Sequence, residues 1–259
     1  MADIWTLFSS VKPTVQFVFN FKRLMYLTVF PMTVLTLVVL LSLIYPPFYL
    51  AETAQISFRP DYRIIGFDIV AFSFVFSSLI FHTQQILFFG EEAQKGKFFI
   101  PRIDKKFGKF ILTALRILLV SIVASAVFVY LFFRIIAHFF PVPGNLDFYL
   151  FAGTVLFTPY FLIRFVLKLP ATVAGIAMPL RESWGKMRRI GIPALMFFLM
   201  FLFIPTVLFS GISALLQKTA GVTLVVTFLN AVFFIYALLL SCIAQSAFLG
   251  HLFARLQNE

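Results

Sequence analysis

The sequence predicts an all-α fold, a polytopic membrane helix bundle with six transmembrane helices and amphipathic interfacial helices on the cytoplasmic side. Three observations carry this reading. Hydrophobic residues make up 61% of the 259 positions and charged residues only 12%, against about 25% charged in an ordinary soluble domain. Phe alone occurs 38 times, and the mean hydropathy is +1.01. Six stretches, at about 24–50, 64–90, 110–140, 148–168, 190–216 and 222–250, each supply the roughly 20 mainly apolar residues that a spanning helix needs. This composition excludes a cytosolic enzyme, a secreted disulfide scaffold and a disordered chain. Residues 1–259 read as a single integral membrane domain.

The N-terminal stretch 3–22 precedes the first span. Ile4, Leu7, Phe8, Val11, Val15, Val18 and Phe19 follow a helical spacing, which predicts an amphipathic helix lying at the membrane surface. Pro13 is expected to break or restart it. The opening MADIWTLFSS lacks the basic-then-apolar layout of a cleavable signal peptide, so the first span is expected to serve as its own insertion signal. Spans one and two are followed by the basic segment 90–109, and spans three and four by the basic segment 169–189. Within them, KFFIPRIDKKFGKF and PLRESWGKMRR read as two further interfacial helices. Pro179 suits a first helical position. Leu180, Trp184 and Met187 fall on one face, and Glu182 and Lys186 form an i,i+4 pair. The turns PVPGNLD at 141–147 and QKTAG at 217–221 are short and close the opposite side. The resulting order, basic amphipathic segment, span out, span back, recurs three times and suggests three parallel two-span repeats. QILFFG at 85–90 and QSAFLG at 245–250 offer a weak match between two returning spans. Pro31, Pro159, Pro193 and Pro205 are expected to kink their helices.

Orientation follows from the basic residues. Seventeen of the 21 Lys and Arg fall on the side of the termini and the long loops, and four (Arg59, Arg63, Arg134 and Lys218) on the other. The positive-inside rule then predicts both termini in the cytoplasm. The formal net charge of +11 is thereby assigned to membrane orientation, and no nucleic-acid partner is expected. The single Cys242 lies in an apolar run, so no disulfide framework is expected.

The segment RFVLKLPATVAGIAMPLRESWGKMRRIGIPAL combines an Arg, an LPA, an amphipathic helix holding SW, and a basic turn into a span. Upstream, EEAQKGKFFIPRIDKKFGKFI forms a short linker with a small Gly and a basic helix entering the next span. Together these resemble the YciC-like bacterial inner-membrane proteins and the membrane domain beside some glycerophosphodiester phosphodiesterases. The resemblance covers most of the chain as layout and is specific over about 85–115 and 160–195. It implies a six-helix protein of a bacterial inner membrane with a role in envelope maintenance, and brings no catalytic signature.

Ionisable and polar residues in the spans are the candidates for function. Arg164 and Lys168 lie one turn apart at the inner end of the fourth span, followed by Arg181, Arg188 and Arg189. They read as a positive-inside anchor or as a clamp for an anionic lipid phosphate. The stretch His82, Thr83, Gln84 and Gln85 is the most polar patch in any span, with Asn230 and Gln245 of the last span as partners. It reads as packing glue between helices or as the lining of a substrate path. Arg116 and Arg134 are 18 residues apart in the third span, roughly 27 Å of helix, so both can snorkel to opposite headgroup layers. The sharper reading pairs Arg134 with Asp68, and Arg116 with Glu91 or Glu92. Asp68 is otherwise an interfacial partner of Arg63 or Arg59.

The sequence holds no HExxH, no GxSxG, no P-loop and no GxGxxG before a helix. The three His and one Cys are widely scattered, so no metal, cofactor or catalytic residue is assigned. The leading expectation is a non-enzymatic membrane protein that engages anionic phospholipid or a membrane partner, a second copy included, and supports envelope organisation. The alternative is a permease for a small or lipidic substrate.

Overall fold

A computed structural model describes residues 4–44, 48–49, 59–60, 62–90, 104–139, 146–221 and 223–258. The described residues are all-helical apart from one two-residue pair of strands and short connections. In order, α1 is Ile4–Val18, α2 Phe21–Ile44, β1 Phe48–Tyr49, β2 Arg59–Pro60 and α3 Tyr62–Phe89. Then follow α4 Lys105–Phe139, α5 Leu146–Phe165, α6 Lys168–Ala174, α7 Leu180–Lys186, α8 Gly191–Ala220 and α9 Leu224–Gln257. Six of these helices are long and apolar enough to cross a membrane, namely α2, α3, α4, α5 continued by α6, α8 and α9. The chain is a multi-pass membrane protein.

Several boundaries differ from the sequence reading. The first span ends at Ile44 rather than near 50, and Phe48 and Tyr49 instead pair antiparallel with Pro60 and Arg59. Residues 105–109 do not form a separate surface helix. They are the opening turns of α4, where the Asp104 carboxylate accepts the Phe107 N–H at 2.7 Å. This is an N-cap, the device that starts a helix by satisfying an orphan amide. Phe107 and Phe110 turn inward while Lys105 and Lys109 stay exposed. α8 runs on to Ala220, so the turn into α9 is only 221–223. Gly221 takes a left-handed φ of 71° there, and Thr223 Oγ1 accepts the Val226 N–H.

α1 departs most from expectation. Pro13 lies inside a continuous helix. The residues it buries are Thr6, Leu7, Ser10, Thr14 and Phe17, while Trp5, Phe8, Val15 and Phe19 are exposed. The helix is thus amphipathic with hydroxyls inward and aromatics outward. Ser10 Oγ donates to the Thr6 carbonyl and Thr14 Oγ1 to the Ser10 carbonyl, so the small polar side chains are satisfied by the helix itself and allow close packing. An aromatic outer face suits lipid. Elsewhere Pro179 is the N-cap of α7, with extended backbone, rather than its first helical residue. Pro193 stands in the first turn of α8 and interrupts nothing, because the amide it lacks is not needed there. QILFFG and QSAFLG also differ. Gly90 ends α3 with φ 65°, whereas Gly250 lies within α9.

The chain forms two compact units. Unit 1 comprises Met1–Thr14, Ile103–Leu199 and Phe248–Glu259. Its centre is the α4–α5 pair, where Phe128 packs on Phe157 and Phe161. Gly153 lets the helices approach, since a Cβ there would stand 2.8 Å from Val129 Cγ1. Phe197 touches both Phe8 and Phe248. Unit 2 comprises Val15–Arg102 and Met200–Ala247. Its core joins Phe17, Leu27 and Leu35 with Val75, Leu79 and Ile86, and with Ile235, Leu239 and Ile243. Ser246 Oγ donates to the Ile80 carbonyl at 3.0 Å, linking α9 to α3. Most Ser and Thr hydroxyls of the spans donate to the carbonyl four residues earlier, as Thr28, Ser121, Thr158 and Thr206 do. Hydrocarbon offers no other acceptor.

Candidate functional site

The most heavily built polar site lies in unit 1, around Arg164. α5 ends at Phe165 and the chain turns into α6, which releases the carbonyls of the last turn from helix bonding. Ser183 Oγ of α7 supplies the missing donor, bonding the Arg164 carbonyl at 2.9 Å. The Arg164 side chain is 6% exposed. Its Nη1 donates to the Met187 carbonyl at 2.7 Å and its Nη2 to the Tyr160 hydroxyl at 2.7 Å. The guanidinium lies 5.0 Å from the Tyr160 ring centroid and 5.2 Å from that of Trp184. Both distances are within cation–π range. No carboxylate among the described residues pairs with it. Glu182 pairs with Lys186 at 3.7 Å, as the i,i+4 spacing predicts.

Gly191 closes the site. A Cβ at this position would stand 3.1 Å from Arg164 Nε, so the arginine stem lies against the start of α8. The Gly191 N–H also donates to the Met187 carbonyl at 2.8 Å. One carbonyl therefore holds both Arg164 and the first turn of α8. The turn between α7 and α8 is fixed at its ends by buried Met187 and Ile190, and its middle residues, Arg188 and Arg189, point outward. Arg181 is exposed on α7 and Lys168 is half-buried at the start of α6. Lys186 reaches the Leu256 carbonyl at 2.9 Å, placing a cation at the C-terminal end of α9, where the helix dipole favours it. Gly175 ends α6 with a left-handed φ of 78°, and Pro170, Ala171 and Val173 of this short helix are buried.

Five predicted anion-binding residues thus separate by role. Arg164 is held by protein contacts through Nη1, Nη2 and two aromatic rings, with its Nε buried and without a hydrogen-bond partner among the described residues, and acts as a strut. Arg181, Arg188 and Arg189 stand on the surface it fixes, with Lys168 on the adjoining helix. Unit 1 carries thirteen basic and three acidic residues in its described parts. Sequence reasoning missed Tyr160, Ser183, Met187 and Gly191. Only Tyr160 was signalled, by its i−4 spacing to Arg164. Trp184 packs half-buried on Phe161 and Phe165.

The expected polar patch divides. His82, Thr83 and Gln84 are buried on α3, and Gln85 is half-buried. His82 Nδ1 lies 3.0 Å from the Ser78 carbonyl. Gln84 is fully buried, and neither its Nε2 nor its Oε1 has a hydrogen-bond partner among the described residues. The same holds for Ser78 Oγ and Thr83 Oγ1. Gln245 is half-buried on α9. Asn230 stands 15 residues earlier on that helix, about 22 Å away along its axis. It lines a separate pocket of about 230 Å³ with Ser210, Ser213 and Gln217. Its Oδ1 is buried without a partner among the described residues.

The ion-pair candidates are placed as follows. Arg116 and Arg134 are exposed on α4. Asp68, half-buried on α3, belongs to unit 2 and Arg134 to unit 1. Glu91 and Glu92 lie outside the described residues. Among the described residues no cluster of three His, Cys, Asp or Glu stands in metal-binding arrangement. The chain matches no protein-family model, no curated protein and no solved structure.

Proposed function

We propose that this multi-pass membrane protein engages anionic phospholipid through a preformed cationic platform, Arg181, Arg188 and Arg189 with Lys168, and supports envelope organisation without catalysis. The observation that carries the reading is the buried Arg164. A guanidinium held by a carbonyl, a hydroxyl and two rings, with no carboxylate paired to it among the described residues, fixes the turn that presents Arg188 and Arg189. Preorganised arginines lose less side-chain freedom on meeting a phosphate and bind it in a bidentate fork. Basic residues just outside a span are drawn to anionic lipid by about 1 kcal/mol each. The seventeen-to-four distribution of basic residues favours cytoplasmic termini and a platform at the cytoplasmic leaflet.

The test is thermal unfolding of the delipidated protein with added phosphatidylglycerol or phosphatidylcholine. A specific ligand at 100 times its Kd stabilises by about 2.7 kcal/mol. Phosphatidylglycerol is expected to raise the melting temperature and phosphatidylcholine to leave it unchanged. The preference should vanish in the triple variant Arg181→Gln, Arg188→Gln, Arg189→Gln. Equal stabilisation by both lipids would overturn the reading.

A permease is the second reading. It is favoured by the polar pocket of Ser210, Ser213, Gln217 and Asn230 inside the α8–α9 spans, where polar groups are costly. Uptake of a small polar solute by proteoliposomes, abolished by Asn230→Leu, would support it over the lipid platform.

A further inference from the structure

The half of the α8–α9 hairpin nearer its turn carries a polar notch of about 230 Å³, lined by Ser210, Ser213, Ala214 and Gln217 of α8 and by Asn230 and Phe234 of α9. Thr206 and Thr219, on either side of it in the same helix, donate to the carbonyls of Leu202 and Leu215. Ser210, Ser213 and Gln217 make no such bond among the described residues, and Asn230 Oδ1 is buried without a partner among them. Lys218 is exposed near the end of α8, and its long stem reaches the headgroup layer. Ser213 and Ser210 stand five and eight residues before it, about 8 and 12 Å down the helix. Both depths fall within one leaflet of a hydrocarbon core ~30 Å thick. Acyl chains offer these groups neither donor nor acceptor.

The notch is one end of a longer seam. Met200, Phe203, Val207, Ser210, Ala214 and Gln217 follow one another at alternating steps of three and four, and all six are exposed. This is the heptad spacing by which one helix packs along another. Of the six spans, α8 buries the smallest share of its residues. Its other exposed row, Ile204, Leu208, Ile212 and Leu215, is wholly apolar and suits lipid. Only the seam carries hydroxyl, carboxamide and small side chains together.

The length of the seam and its symmetry identify the occupant. A solute in the notch answers the polar end alone, whereas a helix answers all 18 residues from Met200 to Gln217, about 26 Å. Every copy of the chain inserts with the same orientation, so a two-fold axis relating two copies runs along the membrane normal. Each residue on that axis then meets itself at its own depth. Serine and glutamine both donate and accept hydrogen bonds, so each can pair with its own copy. Ser210 and Ala214 are small enough to let two backbones approach, as interfaces between spanning helices require. A different membrane protein would need a matching polar set at the same depths, which a second copy has by symmetry.

We propose that two copies of this chain associate through α8, packed along the Met200–Gln217 seam, with Ser210 and Ala214 at the closest approach and Asn230 beside it. The proposal is independent of the arginine platform in unit 1. It gives the notch a protein occupant in place of the solute that the permease reading puts there.

The experiment is disulfide crosslinking of the full chain in native membranes with copper phenanthroline, in a Cys242→Ala background. Single cysteines are placed on the seam by Ser210→Cys or Ala214→Cys, and on the apolar row at nearly the same depths by Leu208→Cys or Leu215→Cys. A disulfide needs Cα atoms within about 7 Å, which the two-fold packing provides on the seam and not on the row. The seam cysteines should give at least tenfold more linked dimer than the row cysteines. Ser210→Leu with Gln217→Leu should lower the dimer fraction at least fivefold, measured without crosslinking by analytical ultracentrifugation in lipid bicelles. Equal yields on both rows, or no dimer from either seam cysteine, would overturn the proposal. So would a monomeric wild type that retains a small molecule which Asn230→Leu releases.

Discussion

Replacing Arg164 separates a strut from a headgroup ligand. The side chain makes two charge-assisted hydrogen bonds, to the Met187 carbonyl and the Tyr160 hydroxyl, worth about 1.5–3 kcal/mol each. It also makes two buried ring contacts, with Tyr160 and Trp184, worth about 0.5–1 kcal/mol each. The gross loss is about 4–8 kcal/mol. Arg164→Met offsets part of this, because it no longer buries a charge, a relief of several kcal/mol. A net destabilisation of about 2–4 kcal/mol follows for Met. Arg164→Lys keeps the charge buried and presents no planar fork, so one ammonium cannot serve both acceptors and both rings. It should cost about 3–5 kcal/mol, more than Met, although it preserves the charge. The assay is unfolding by SDS in mixed micelles, read by the fluorescence of Trp184, which lies against the guanidinium, in a Trp5→Phe background. If Arg164→Lys is the milder change, or if both variants keep wild-type stability, Arg164 is no strut.

Three other outcomes are expected. Gln84→Met removes a fully buried amide with no partner among the described residues, and should raise stability by about 1–3 kcal/mol. Reaction of a thiol dye with buried Cys242 during melting reads this, and a lower melting temperature would show that the amide is bonded in the membrane. Gly191→Ala places a Cβ 3.1 Å from Arg164 Nε; a loss of about 1–3 kcal/mol is expected from overpacking, and an unchanged SDS midpoint would contradict the close approach. Ser183→Ala leaves the Arg164 carbonyl without its buried donor. It should cost about 1–3 kcal/mol in the same titration, and a neutral result would remove Ser183 from the site.

Spans were legible because hydrocarbon imposes a length and a composition that survive in one dimension. Glu182 and Lys186 were legible because i,i+4 neighbours on a helix need no tertiary information. The helical spacing of α1 was legible, but its continuity through Pro13 was not, because small hydroxyls turned inward and Trp5, Phe8 and Phe19 turned outward hold it in place by contacts that the spacing does not carry. Asp104 is a short side chain before KKFGKF that turns an expected surface segment into the start of α4. Arg164 was found as a cation, but its role depends on Ser183, Met187 and Gly191, which lie 19 to 27 residues away. No periodicity links them.

The most direct test of the central claim is native mass spectrometry of the detergent-extracted protein, with the bound lipids identified. The wild type should retain anionic phospholipid at fixed stoichiometry. The variant with Arg181→Gln, Arg188→Gln and Arg189→Gln should lose at least one retained lipid, while the two proteins melt at the same temperature once both are delipidated. Identical lipid retention in both proteins would contradict the platform and leave the exposed arginines as orientation signals alone.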